Sequence, residues 1–204
     1  MKYLVFIFPF FLLVDSIYAQ EYKQLFNGEN LSGWTIHGTE KWYVDEGELV
    51  CESGPDKNFG YLSTNESYKN FVLSLYFKQE ANGNSGVFFR SSIEGTKISG
   101  WQVEVAPEGL HTGGVYESYG RGWLIKPDPE DEKILKPTDW NHLVIRVVNE
   151  KVTTWLNENQ MIHLKDEKIG QEDGFIALQI HSVNEGSPEN VKVRWKDIRI
   201  KVLE

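Results

Sequence analysis

The chain has 204 residues, is 40% hydrophobic and 25% charged, and carries one cysteine. These proportions exclude wholesale disorder and fibrous repeats, and the length allows a sizeable core without help from disulfides or metal. A formal net charge of -9 argues against partners bound through nucleic-acid phosphates or anionic lipid.

Residues 1–19 read MKYLVFIFPFFLLVDSIYA: basic Lys2, an apolar run from Tyr3 to Val14, then small Ala19 before Gln20. This is the pattern of a secretory signal peptide, and the run is too short to span a bilayer as a helix. The reading predicts an exported protein, periplasmic or secreted, with no membrane attachment after cleavage. Cys51 lies in an alternating stretch, Glu48 to Glu52. It is expected as a small buried side chain, since no internal disulfide can form.

Further along, apolar and polar residues alternate. Phe71, Leu73, Leu75 and Phe77 share one face, as do Leu143, Ile145 and Val147, then Val152, Thr154 and Leu156, then Val191, Val193 and Trp195, with Ile198, Ile200 and Val202 continuing. Period two means strands with one face inward. Asn27-Gly28, Glu46-Gly47, the stretch 81–86, Gly113-Gly114 and Asn157 to Asn159 supply turn chemistry between them. The expected fold is an antiparallel all-β sandwich. One long connection, Glu117 to Asp139, holds Arg121, Trp123, three prolines and the acids Asp128, Glu130, Asp131 and Glu132. It shows no recognisable calcium-ligand spacing, so it reads as a solvated acidic loop of functional length.

Three strands carry polar groups on the face away from their apolar set. Trp101, Val103 and Val105 set Gln102 and Glu104 opposite. Val87 and Phe89 set Phe88 and Arg90 opposite. Ile176, Leu178 and Ile180 set Ala177, Gln179 and His181 opposite. In one sheet, Arg90, Gln102, Glu104, Gln179 and His181 are expected to converge on a concave surface that offers a base, a cation, amides and an imidazole. His111 on a glycine-rich loop, Tyr116 and Trp123 are further candidates, the aromatics as stacking surfaces for a sugar ring. His37 is a weaker candidate, and His142 and His163 read as half-exposed structural residues. Nucleophile-elbow, zinc-protease, phosphate-loop and dinucleotide signatures are absent from the sequence. A standard glycosidase needs two carboxylates, and this face offers only Glu104 clearly.

Leu25-Phe-Asn-Gly28 with Leu31-Ser-Gly-Trp34 resembles the opening of the 3-keto-disaccharide hydrolase domain family. Gly60-Tyr-Leu62, Gly83-Asn-Ser-Gly-Val-Phe-Phe-Arg90, Gly100-Trp-Gln-Val-Glu-Val105, Gly113-Gly-Val-Tyr116, Trp140-Asn141, Trp155-Leu-Asn157, Gly174 to His181 and Trp195-Lys-Asp-Ile-Arg-Ile200 follow in that family's order. The resemblance implies one concanavalin A-like jelly-roll domain over 20–204, in an exported bacterial protein that acts on sugars already oxidised to a ketone at C3. The activities implied are 3-keto-glycoside 1,2-lysis, hydration of the resulting 3-keto-2-hydroxy-glucal, or net hydrolysis. The residues it points to are Arg90, Glu104 and His181, with Gln102, Gln179 and Asn84 nearby. That chemistry needs one base, one acid and an oxyanion stabiliser. The expected assignment is Glu104 or His181 as base, the other as acid or orienter, and Arg90 near the enolate oxygen. No cofactor is required, although a divalent metal on Glu104 and His181 would do Arg90's work. The competing reading is a non-catalytic carbohydrate-binding module, which needs stacking and neutral amides but no base.

Overall fold

A computed structural model describes residues 21–54, 56, 58–80, 83–182 and 191–204. The segment 1–19, expected from sequence to be a signal peptide, and the first two residues of the 81–86 turn lie outside the described residues.

Strands pair antiparallel throughout, in two sheets. One has eight strands. Their spatial order is β13 (Asn159–Lys165), β12 (Lys151–Leu156), β11 (Asn141–Val148), β6 (Phe71–Glu80), β15 (Lys192–Val202), β4 (Glu48–Glu52) and β3 (Lys41–Asp45), and β1 (Lys23–Gln24) pairs along β15. The other has seven: β10 (Gly122–Ile125), β9 (Val115–Ser118), β8 (Lys97–Val105), β7 (Ser85–Glu94), β14 (Gly174–Ile180), β5 (Gly60–Tyr68) and β2 (Trp34–His37). This is the expected jelly-roll sandwich.

The core between the sheets is built from the predicted alternating sets. Phe71, Leu73, Leu75 and Phe77 of β6, Leu143, Ile145 and Val147 of β11, and Val103, Val105, Leu178 and Ile180 of the facing sheet are fully buried in one cluster. Cys51 is buried with them, and its thiol donates to the Val193 carbonyl at 3.3 Å. Burial pushes that thiol up to about 12, which keeps it unreactive at neutral pH.

Two β-bulges break the period-two reading. In β15 the register slips between Lys196 and Arg199, with Asp197 at φ 51°, so that Trp195 and Ile198 both face the core. In β7 it slips between Phe89 and Ser92, with Arg90 at φ 46°. The long connection is more ordered than expected. It contains β10 and a one-turn helix, α1 (Pro129–Glu132), whose N-cap Asp128 accepts from the Glu130 N–H at 2.9 Å.

Candidate active site

Strand register alone assembles a row of positions across the outer face of the seven-stranded sheet. Glu104 of β8 pairs with Gly86 of β7, Gly86 with Gln179 of β14, and Gln179 with Tyr61 of β5. One step along, Gln102 pairs with Phe88 on one side and Tyr116 of β9 on the other. Tyr61, Phe88, Ile98 and Ala177 form a second, small apolar cluster on this face. Over it lies a cavity of about 450 Å³ whose walls are Phe59, Tyr61, Phe88, Tyr116, Tyr119 and Trp123, and whose polar groups are Gln102, Glu104, Ser118, Gln179 and His181.

Gly86 makes room for the polar floor. A Cβ there would lie 2.3 Å from Nε2 of Gln102, so the Gln102 side chain can lie across the strand only because residue 86 has none. From that position its Nε2 donates to Glu104 Oε2 at 2.9 Å and to Gln179 Oε1 at 3.2 Å. Asn84 Nδ2 donates to the other oxygen, Glu104 Oε1, at 3.1 Å. Glu104 itself is buried, and burial raises its pKa to about 7 against the Asn84 hydrogen bond that lowers it. Oδ1 of Asn84 is buried without a partner among the described residues. A flip of that amide therefore turns a donor to the carboxylate into an acceptor for the carboxylic acid, and both protonation states of Glu104 can be satisfied. Substituting Gly86→Ala should displace the whole Gln102 side chain from Cγ outward, since Cγ and Cδ would each lie 2.7 Å from the new Cβ. We expect Tm to fall by about 2–12 °C, the scale of a 1–3 kcal/mol overpacking cost, and ligand binding to weaken by about tenfold as the bridge from Gln102 to Glu104 and Gln179 is lost. A thermal melt beside a binding titration checks this, and unchanged binding would show that the Gln102 bridge is dispensable.

His181 follows the last residue of β14 and is held on three sides. Its backbone N–H donates to the Asn84 carbonyl at 3.1 Å, and its ring meets Phe59 edge-on at 4.5 Å. Nδ1 donates to the Ser182 carbonyl at 2.9 Å, because a carbonyl can only accept. In that tautomer Nε2 of the neutral ring carries a lone pair. Tyr61, raised to about 12 chiefly by burial, keeps its hydroxyl proton at neutral pH.

The far wall rests on the acidic loop. Trp123 packs edge-on against Tyr116 at 5.5 Å and against His111 at 5.0 Å. Glu132, buried, accepts from the N–H groups of Gly109 at 2.8 Å and His111 at 3.0 Å, and meets His111 Nδ1 at 3.3 Å. The loop is therefore not simply solvated, because its last helical acid ties it to the 109–111 turn. His111 supports Trp123 from behind and does not line the cavity.

Of the residues singled out from sequence, Gln102, Glu104, Gln179, His181, Tyr116 and Trp123 line one cavity, and Asn84 touches it through Glu104. Arg90 does not join them. The bulge at φ 46° turns its side chain away, and the buried guanidinium donates to the carbonyls of Lys69 (2.8 Å), Asn149 (2.8 Å) and Ile169 and to Asn70 Oδ1 (3.2 Å). The expectation that it faces the enolate is corrected by that geometry. His37, His142 and His163 bond to strand hydroxyls of Ser63, Ser74 and Thr153, in keeping with structural roles. Sequence reasoning missed Phe59, Tyr61 and Tyr119. The Gly60-Tyr-Leu62 motif was the one available signal for Tyr61.

Glu104 and His181 are the two metal-ligand types in the cavity wall. Among the described residues no group of three or more His, Cys, Asp or Glu is placed to hold an ion. A metal there would complete its shell with water and sugar oxygens.

A lectin-like sandwich with an aromatic-walled cavity around one buried carboxyl defines the class. Within it, the chain belongs to the 3-keto-alpha-glucoside-1,2-lyase-like domain family, whose description matches residues 21–201. A 3-keto-disaccharide hydrolase of Bacteroides thetaiotaomicron is 29% identical over 80 residues, 35% of this chain and 28% of that relative's length. The fold is shared with a candidate glycosyl hydrolase of Parabacteroides distasonis (TM-score 0.69, 21% identity, 91% of this chain and 96% of the other). It is shared also with carbohydrate binding module CBM66 of Bacillus subtilis (TM-score 0.65, 12% identity, 83% and 95%).

Proposed function

We propose that the protein cleaves glycosides oxidised at C3 by elimination across C1 and C2, and hydrates the resulting enone, for net hydrolysis of a 3-keto-disaccharide. The observation that carries this reading is the one cavity carboxyl, buried and with a pKa of about 7, in the same cavity wall as an imidazole whose Nδ1 donates to Ser182, which leaves the lone pair of the neutral ring on Nε2. A C3 ketone acidifies the C2 proton. His181 Nε2 takes that proton, and the C2–H electrons form the enolate. The enolate collapses to a C1–C2 double bond and expels the C1 oxygen, to which protonated Glu104 delivers a proton. Water adding at C1, with a proton returned to C2, gives the free 3-keto sugar. One acid and one base suffice, where a standard glycosidase would need a second carboxylate.

With Arg90 elsewhere, the enolate oxygen must find another donor. The Tyr61 hydroxyl lines the cavity, keeps its proton, and can serve. A divalent ion on Glu104 and His181 is the other route, and chelation separates the two. Turnover that survives EDTA leaves the oxyanion to this hydroxyl, whereas loss restored by one added ion assigns it to metal. A module that only binds sugar gains nothing from a buried carboxyl lifted from an ordinary 4.5 to about 7, a cost of roughly 3 kcal/mol to its ionised form. Aromatic walls and amides alone would serve it better. Residues 1–19 act in this reading as a secretory leader, which N-terminal sequencing of the native protein checks.

The deciding experiment uses a 3-keto-glucoside with a chromogenic leaving group beside its unoxidised parent. Release from the keto form alone is the expected result. Release from both would point to ordinary glycoside hydrolysis, and binding without release to a module.

A further inference from the structure

A second group of oxygens lies outside the cavity and has no part in the chemistry above. Glu40 is 4% exposed, yet neither carboxylate oxygen has a hydrogen-bond partner among the described residues. Two glycines create its space. A Cβ on Gly38 would lie 2.2 Å, and one on Gly60 2.1 Å, from Glu40 Oε2. The position is thus shaped around the carboxylate. Burial is the largest influence on Glu40 and raises its pKa. Nearby backbone N–H groups of Glu40 and Thr39 lower it, and the charge of the adjacent Asp56 carboxylate raises it. Asp56 also lies within reach of the Thr39 hydroxyl and accepts the Asn58 N–H at 3.0 Å. The Phe59 carbonyl oxygen borders the same space, 3.3 Å from where a Cβ on Gly38 would sit. Among the described residues no lysine or arginine forms a salt bridge with either carboxylate. Two adjoining carboxyls, one of them buried and neither salt-bridged among the described residues, favour a shared proton or a bound cation.

We propose that Glu40 and Asp56 bind one calcium-type divalent cation beside Phe59, at a site separate from Glu104 and His181. The available ligands are all oxygen: two carboxylates, the Thr39 hydroxyl and backbone carbonyls, with no imidazole or thiolate. That set suits a hard ion of flexible coordination, calcium before zinc. The site's position gives it a consequence. Phe59 packs against His181, and Gly60 opens β5 by pairing with Ile180 of β14. An ion held by Glu40 and Asp56 therefore fixes the cavity wall that orients the imidazole.

The test titrates calcium chloride into EDTA-dialysed protein by calorimetry and follows Tm. We expect one site and, at a hundredfold excess over Kd, a rise in Tm of about 5–10 °C. Glu40→Gln should abolish both signals, and Asp56→Asn should weaken binding at least tenfold. Glu104→Gln should leave both intact, which separates this site from any metal in the cavity. If Glu40→Gln does not fold, Asp56→Asn carries the test, because Asp56 lies at the surface. Absence of heat and of a Tm shift with calcium, magnesium and manganese overturns the proposal and leaves a shared proton. Glu40→Gln should then melt no lower than the wild type. Binding lost in Glu104→Gln but kept in Asp56→Asn overturns it equally.

Discussion

Replacing Glu104 with glutamine should slow cleavage of a 3-keto-disaccharide by about 10²–10⁴-fold, the usual worth of a positioned acid or base, and leave the fold intact. The leaving group tells which role is lost. A sugar alkoxide needs a proton as it departs, whereas 4-nitrophenolate does not. Glu104→Gln should therefore cost far more on the disaccharide than on the nitrophenyl 3-keto-glucoside. Equal losses on both would make Glu104 the C2 base and return His181 to the acid role. With the acid role, kcat/KM on the disaccharide should fall above about pH 7, where the carboxyl loses its proton.

The same substitution should raise stability, and the sign follows from the pKa. Folding lifts Glu104 from an ordinary 4.5 to about 7, so the native state holds the proton more tightly than the unfolded chain does. The stability this contributes is complete below about pH 4.5 and is lost as pH rises through 7. At pH 8 the wild type carries a buried carboxylate at a cost of roughly 3 kcal/mol. The glutamine variant avoids that cost, since its amide can donate to the flipped Asn84 Oδ1. Its Tm should exceed that of the wild type by about 6–10 °C at pH 8, and the gap should close toward pH 5. A gap independent of pH would mean that Glu104 does not titrate near 7. A protein that keeps a residue at this cost is favouring activity over stability.

Much of this arrangement is legible in the alternation of side chains. The inward sets of β6, β8, β11 and β14 can be written down from the sequence, and once they are assigned, Gln102, Glu104 and Gln179 have to share the opposite face. What strand parity cannot foresee is a bulge, because one extra residue reverses every face beyond it. That is why parity puts Arg90 with Glu104, and why Ile198 follows Trp195 into the core out of step. The aromatic walls are hidden for another reason. Phe59 and Tyr119 sit in connections, where no period constrains direction, and their convergence on the cavity depends on how β5 and β9 are placed in the sheet. Glu40 gives no signal, because one acid beside a turn looks like surface until its burial is known.

Arg90→Ala should damage folding and not catalysis. The guanidinium is buried at 2% exposure and ties the turn between β5 and β6, through Lys69 and Asn70, to Asn149 between β11 and β12 and to Ile169. It thus links connections that belong to both sheets. Its left-handed backbone is the strain accepted to aim it there; for a side chain that is not glycine this costs roughly 1–2 kcal/mol. Removing the side chain leaves three carbonyls without their donor in a buried place, at about 1–3 kcal/mol for each that water cannot reach. We expect a loss of about 3–5 kcal/mol, the scale for breaking a buried charged network, read as a lower midpoint in denaturant. Arg90→Lys should recover only part of it, since a compact ammonium cannot reproduce a planar fork that spreads over separate acceptors. Turnover per folded molecule on 3-keto-glycosides should stay within a few-fold of wild type. A variant that folds with normal stability and loses turnover would return Arg90 to the reacting oxygen.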